Sequence, residues 1–171
     1  MLDIFAKSET SLPLDKRGSS SYHFDVGAKW SSSAGSVEGL VAFKQSANSR
    51  GGFGELKLTS PSAGNIVLES RTRVQFETSG NTVTQRVAVK YSQSLPKGFS
   101  IYNITGASAK FSMEGDGTQS ITPVCLTGVG YKFNKELSGY CEYELCKGFD
   151  MKNHAWGKAS SNMYIGVKYT F

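Results

Sequence analysis

Hydrophobic and polar residues alternate along most of this chain with a period of two. That is the pattern of β-strands whose two faces meet different surroundings, because successive side chains point to opposite sides. Nine segments carry it, at residues 20–31, 36–45, 52–60, 64–77, 82–94, 99–113, 120–133, 137–149 and 161–171. A weaker tenth runs from Leu2 to Lys7. In the last segment Met163, Ile165, Val167, Tyr169 and Phe171 share one face, and Tyr164, Gly166, Lys168 and Thr170 share the other. The first strong segment repeats this, with Tyr22, Phe24, Val26, Ala28 and Trp30 against His23, Asp25, Gly27 and Lys29. A few positions break the phase. Phe53 is out of step with Leu56 and Leu58, and Gln85, Asn103, Thr105 and Lys147 fall on apolar faces. A bulge accounts for one or two of these.

The connections alternate in length. Residues 31–36, 60–64, 95–98 and 134–136 make one set, and 45–51, 77–81, 114–119 and 150–160 make a set that is longer on average. Outer-membrane barrels show this asymmetry, with short turns at one end and longer loops at the other. They also favour an even strand number with both termini on one side. Counting Leu2–Lys7 as a strand gives ten and lets it pair with the last strand. The expectation is an all-β, closed antiparallel up-and-down transmembrane barrel of ten strands, with eight as the alternative, occupying residues 1–171 as one domain.

Alternation alone does not say which face is outside; a soluble lipocalin-like ligand-binding barrel has the same pattern with the faces exchanged. Three features favour the membrane. The apolar faces are almost free of charge, which at mid-bilayer costs about 2–4 kcal/mol per Arg or Lys. Aromatics collect near strand ends, among them Tyr22, Trp30, Phe43, Phe76, Tyr91, Phe99, Phe111, Phe133, Phe149, Tyr169 and Phe171, where two interfacial girdles belong. The polar faces are rich in small residues (Gly27, Ala42, Ala88, Gly106, Ser108, Gly128, Gly130 and Gly166), as a narrow interior requires.

Composition agrees. A hydrophobic content of 39% in 171 residues suits a barrel, since only alternate strand residues meet lipid. No run approaches the roughly 18 apolar residues of a spanning helix. The net charge is +5, but the basic residues are scattered singly, so the clustered footprint of a nucleic-acid binder is missing. Cys125, Cys141 and Cys146 form neither a CxxC nor a Cys/His cluster, so free thiols are expected and a zinc site is not. No cofactor is expected. The stretch MLDIFAKSETSLPLDKR lacks a charged and then apolar leader pattern, so it is not read as a secretory signal.

The segment Gly128-Val-Gly-Tyr-Lys-Phe-Asn-Lys-Glu-Leu-Ser-Gly-Tyr-Cys-Glu-Tyr-Glu-Leu145 resembles the penultimate hairpin of Gram-negative outer-membrane barrels of the porin and small-barrel type. Tyr164-Ile-Gly-Val-Lys-Tyr-Thr-Phe171 resembles their C-terminal strand, and Leu2–Lys7 resembles, more loosely, the first strand of mature porins. The resemblance implies an outer-membrane location, a lipid bilayer as partner, and a terminal aromatic strand read by the insertion machinery. The cysteines depart from that pattern and keep an organelle outer-envelope pore as a second choice.

With the polar faces inward, the lumen carries Lys29, Lys44, Lys57, Arg71, Arg73, Arg86, Lys90, Lys110, Lys132 and Lys168 against Asp25, Glu38, Glu55, Glu69, Glu142 and Glu144. Of these, Lys29, Lys57, Arg71, Arg73, Arg86, Lys90, Lys110 and Lys132 are the candidate lumen-lining, solute-binding groups. An excess of four positive charges favours small anionic solutes if the lumen conducts. A barrel of eight to ten strands is barely wider than its own side chains, so a salt-bridged plug is an equal expectation. Enzymatic chemistry is not expected. His23, with Asp25 two positions on and Ser19–Ser21 nearby, and His154, beside Trp156, form no recognisable nucleophile–base arrangement. The loop 150–160, with Met151, His154 and Trp156, is the candidate contact surface for a partner.

Overall fold

The computed structural model describes residues 1–14, 20–78, 80–114 and 120–171. Ten long strands form one closed antiparallel sheet. They are β1 (Leu2–Pro13), β2 (Ser21–Ser32), β3 (Gly35–Ser46), β4 (Arg50–Thr59), β5 (Ile66–Glu77), β6 (Gly80–Ser94), β7 (Phe99–Ser112), β8 (Ser120–Lys132), β9 (Leu137–Cys146) and β12 (Ser160–Thr170). Each pairs with the next in sequence, and β12 closes the ring on β1 through Phe5 opposite Thr170 to Pro13 opposite Asn162. Closure leaves no unpaired edge among these ten. A short ribbon, β10 (Phe149–Asp150) and β11 (Ala155–Trp156), rises from the β9–β12 connection and leans on Ile121 of β8. The strand number is the expected ten, and the eight-strand alternative is set aside.

β1 is longer than the weak segment Leu2–Lys7. It continues through Ser8, Glu9, Thr10 and Ser11, where both faces are polar and the alternation of hydropathy vanishes. β9 is shorter than expected, because its pairing with β8 and β12 ends at Cys146 and the chain restarts as the ribbon at Phe149. Two connections expected as loops are tight: only residues 47–49 separate β3 from β4, and 78–79 separate β5 from β6. The longer connections at that end lie at 14–20, 113–119 and 147–159. The expected loop residues 115–119, and Ser19 near His23, lie outside the described residues.

The faces point as the charge pattern requires. Val41 (68% exposed), Val87 (59%), Leu68 (56%) and Phe76 (53%) stand on the outer wall, together with Val167, Tyr169 and Phe171. Phe5, Asp25, Phe53 and Glu55 are buried inside. A soluble lipocalin-like barrel would show the reverse, so that alternative is excluded. The expected girdle aromatics stand outward near both strand ends. At the end that carries both termini, rings cluster as Phe99–Tyr131–Phe133 and Tyr169–Phe171. Phe53 needs no bulge. It is an inward residue of a regular strand, opposite Ala42 and Gln75, and its ring meets His23 edge-on at 5.6 Å between centroids.

Candidate functional site: the lumen

Interior glycines seat interior aromatics. A Cβ at Gly27 would lie 2.6 Å from Phe5 Cζ, and side chains at Gly128 and Gly166 would collide with the rings of Tyr102 and Tyr140. Three of the small residues read from sequence as relief for a narrow interior, Gly27, Gly128 and Gly166, are therefore the floors on which Phe5, Tyr102 and Tyr140 lie. Each ring then covers a glycine on a neighbouring strand, a pairing that compensates the weak packing of glycine in a sheet.

Two networks of charge fill the β1–β5 side. In the first, His23 sits between two carboxylates, with Nδ1 2.6 Å from Asp25 Oδ1 and Nε2 2.7 Å from Glu9 Oε1. Tyr140 OH donates to the other Glu9 oxygen, Lys7 Nζ lies 2.8 Å from it, and Lys7 also approaches Asp25 at 3.8 Å. The strand period brings His23 and Asp25 to one face, and the β1–β2 register puts Glu9 opposite His23 and Lys7 opposite Asp25. In the second, Glu55 receives Arg73 Nε at 2.8 Å and Nη2 at 2.6 Å, with Arg71 Nε at 3.3 Å. The Arg73 guanidinium lies 4.1 Å above the Phe53 ring. Buried carboxylates in such a space are tolerable because each is paired and hydrogen-bonded.

Further towards the end with both termini, Glu38 lies between Lys57 at 3.5 Å and Lys168 at 4.0 Å, and Lys168 sits 3.7 Å above the Phe5 ring. Across the lumen Tyr102 donates to Glu142 at 2.6 Å under Lys90, and Tyr164 donates to Glu144 at 2.6 Å. Ala88, Ile104 and Leu126 form a dry cluster beside Tyr102.

These groups bound a cavity of about 710 Å³ that opens between the β6–β7 and β8–β9 turns. Its lining runs inward from Leu95, Asn134 and Glu136 to Lys7, Asp25, Glu55, Arg71 and Arg73. Among the described residues the lining stops there, at the two charge networks. The cavity is thus a vestibule whose inner end is an ion-paired septum of these groups.

Of the eight candidate lumen residues, the vestibule wall contains Lys57, Arg71, Arg73, Lys90 and Lys132. Lys29 faces inward at the same end, on β2 opposite Asp3 and Glu38. Arg86 and Lys110 are on the inward faces of β6 and β7; Arg86 stands opposite Arg71 at the level of the septum, and Lys110 lies nearer the loop end. Arg86 Nη2 is buried with no hydrogen-bond partner among the described residues. Sequence reasoning missed Lys7, Glu9 and Tyr140 as lumen groups; only the strand register brings them to His23. Adding Asp3, Lys7, Glu9 and Glu77 makes eleven basic and nine acidic inward side chains among the described strand residues, so the positive excess falls from four to two.

His23 has both ring nitrogens committed to carboxylates, so neither is free to take a proton from a hydroxyl. His154 is exposed in the ribbon loop with a left-handed φ of 48°. In that loop Asp150 accepts from the backbone N–H groups of Lys152 and Asn153 and from Asn153 Nδ2, and these bonds hold its carboxyl below the usual aspartate range. Lys147, expected on an apolar strand face, lies past the end of β9, with Nζ 5.8 Å from the centroid of the Trp156 ring. All three cysteines are free thiols. Cys125 and Cys141 are exposed on the outer wall, and Cys146 Sγ is 3.2 Å from Ser160 Oγ inside. Among the described residues no His/Cys/Asp/Glu group has the arrangement of a metal site.

No family model matches the sequence, and no curated protein matches it either. Solved structures do share the fold. The β domain of the Bordetella autotransporter Brka aligns with a TM-score of 0.63 at 10% identity, over 99% of this chain and 99% of that one. A KdgM porin aligns at 0.48 with 14% identity, over 100% and 99%. The N-terminal β-barrel domain of Pseudomonas aeruginosa OprF aligns at 0.46 with 11% identity, over 99% and 97%. The closed ten-strand sheet, its apolar wall and the likeness to the Brka domain define a transmembrane β-barrel of the outer-membrane class. Such walls are built to face hydrocarbon, and an outer membrane is where this one belongs.

Proposed function

We propose that this chain is a narrow outer-membrane channel held in a closed state by its own side chains, a porin-like barrel in which the vestibule admits small charged solutes and the septum limits their passage. The observation that carries the reading is the vestibule ending on Lys7, Asp25, Glu55, Arg71 and Arg73. The vestibule wall has eight basic and six acidic side chains, so small anions are favoured at its mouth. In this reading Lys57, Lys90 and Lys132 attract the solute, while Arg71 and Arg73 do so only when released from Glu55. Lys29 adds to the potential at the mouth, Arg86 acts at the level of the septum opposite Arg71, and Lys110 acts beyond it. The chain works as one domain without catalysis. Its last strand, ending at Phe171, is the segment the insertion machinery would read, and a bacterial outer membrane is favoured over an organelle envelope.

Planar-bilayer recording tests this. The native barrel is expected to give small conductance steps with a modest preference for anions. A large steady conductance would overturn the closed state, and a preference for cations would overturn the anion reading.

A further inference from the structure

The outer wall is not uniformly apolar. Midway between the two aromatic girdles, on four consecutive strands, it carries amides and hydroxyls. Thr72 donates to Gln85 Oε1 and Gln85 Nε2 donates to Ser70 at 3.0 Å; on the next pair, Asn103 Nδ2 donates to Thr127 at 3.1 Å and Thr105 donates to Asn103 Oδ1 at 2.9 Å. All six side chains share the outward phase of Leu68, Val87, Ile101 and Val129. At the same height elsewhere the wall shows Val26, Val41, Leu56, Ile165 and Val167. Ser8 and Thr10 on β1 are also outward, opposite Val167 and Ile165, and Ser8 donates to the Tyr22 hydroxyl, but they bring no amide to the wall.

The internal bonds do not satisfy this patch. The second N–H of each amide and the hydroxyls of Ser70 and Thr127 have no acceptor among the described residues. Hydrocarbon offers none, so these donors are costly facing lipid. Their spacing is instead suited to a partner wall. Between the two polar groups lie Ala107 and Ala109 of β7, small enough for close approach of a second sheet.

We propose that the outer face of β5–β8 is an interface between two copies of this chain in the membrane. The occupant follows from the patch itself. Each amide presents an unused donor and a carbonyl with a spare lone pair, so the patch is complementary to itself. Two barrels inserted in the same sense are related by a twofold axis along the membrane normal, and such an axis sets identical patches face to face. Gln85 and Asn103 of one copy then reach the amides and hydroxyls of the other. The arrangement does not depend on whether the lumen conducts.

Disulfide trapping tests the interface. The native thiols are first replaced by Ser at Cys125, Cys141 and Cys146, and Ala107→Cys or Val41→Cys is introduced. In vesicles at low protein-to-lipid ratio, mild oxidation is expected to convert more than half of the Ala107→Cys protein to a covalent dimer and to leave the Val41→Cys protein monomeric. A second variant keeps native Cys125, which stands opposite Thr105 at the patch, and replaces only Cys141 and Cys146 with Ser; it leaves the polar groups untouched and is also expected to form the dimer. Gln85→Leu with Asn103→Leu should reduce dimer yield at least tenfold while heat-modifiable gel mobility shows an intact barrel. Absence of trapping in both the Ala107→Cys protein and the variant that keeps Cys125 would overturn the proposal, as would equal trapping of the Val41→Cys protein. So would a cross-link to a different protein in native membranes while the purified chain remains monomeric.

Discussion

Removing the Glu55 carboxylate by Glu55→Gln should both destabilise the barrel and open it. Glu55 is 5% exposed at its side chain and takes three guanidinium contacts, from Arg71 at 3.3 Å and from Arg73 at 2.6 and 2.8 Å. Glutamine fills the same space but leaves two cations facing a neutral amide. Breaking a buried ion pair costs about 3–5 kcal/mol. Arg71 and Arg73 are 28% and 30% exposed and retain part of their water, which lowers the expected loss to about 2 kcal/mol. That is roughly a 30-fold change in the folding equilibrium. Urea titration of the barrel in lipid vesicles, followed by tryptophan emission and heat-modifiable mobility, reads the stability. Bilayer recording of the same protein reads the lumen, where the freed guanidinium groups should raise conductance and strengthen anion preference. Unchanged stability together with unchanged conductance would refute the claim that this network forms the septum.

The other expectations concern separate parts of the barrel. Lys44→Ala removes a pair with Glu77 at 2.9 Å in which the lysine is 27% exposed, so its cost should stay below about 1 kcal/mol in the same titration. Gly166→Val should evict the Tyr140 ring from its seat and sever its bond to Glu9, with a loss of about 2 kcal/mol or more and restored stability when Tyr140→Ala is added. His23→Ala leaves Glu9 and Asp25 facing each other with Lys7 alone between them; a loss of about 3 kcal/mol is expected, and a neutral effect would show that the imidazole does not hold the network. Val41→Arg sets a cation at mid-wall and should cost about 2–4 kcal/mol in vesicle folding, whereas Thr84→Arg on the lumen face should be tolerated far better.

Strand number, orientation and most of the inward charges are legible in the sequence because lipid and lumen impose opposite chemistry on alternate residues. Val167 and Lys168 read correctly for that reason. β1 is only half legible. From Ser8 to Ser11 both faces are polar, since Glu9 turns inward to His23 while Ser8 and Thr10 sit outward. Phe53 breaks the expected phase because an aromatic ring, by hydropathy alone, marks the lipid face. In a narrow lumen a ring is equally at home under a guanidinium and beside an imidazole. Half of the septum, Glu55 with Arg71 and Arg73, is legible as inward charge, whereas the network around His23 is beyond the reach of periodicity. Joining Lys7, Glu9, His23 and Tyr140 depends on closure of β12 on β1 and on the register of β9 against β12, and a one-residue slip in either would send those groups to the other face. Gln85, Asn103 and Thr105 stand out of place in the sequence, and only the register shows that they share one patch.

Vestibule, septum and outer-wall patch all depend on which face of the sheet meets lipid, and two adjacent positions on β3 test that directly. Val41 is on the outer wall and Leu40 lines the vestibule, so the two lie at the same depth on opposite faces. With Trp30 and Trp156 replaced by Phe, a single tryptophan is placed at each position in turn and the barrel is folded into vesicles of lipids brominated midway along their acyl chains. Strong quenching is predicted for Val41→Trp and weak quenching for Leu40→Trp. Equal quenching at the two positions, or the reverse order, would contradict the outward assignment of the apolar face.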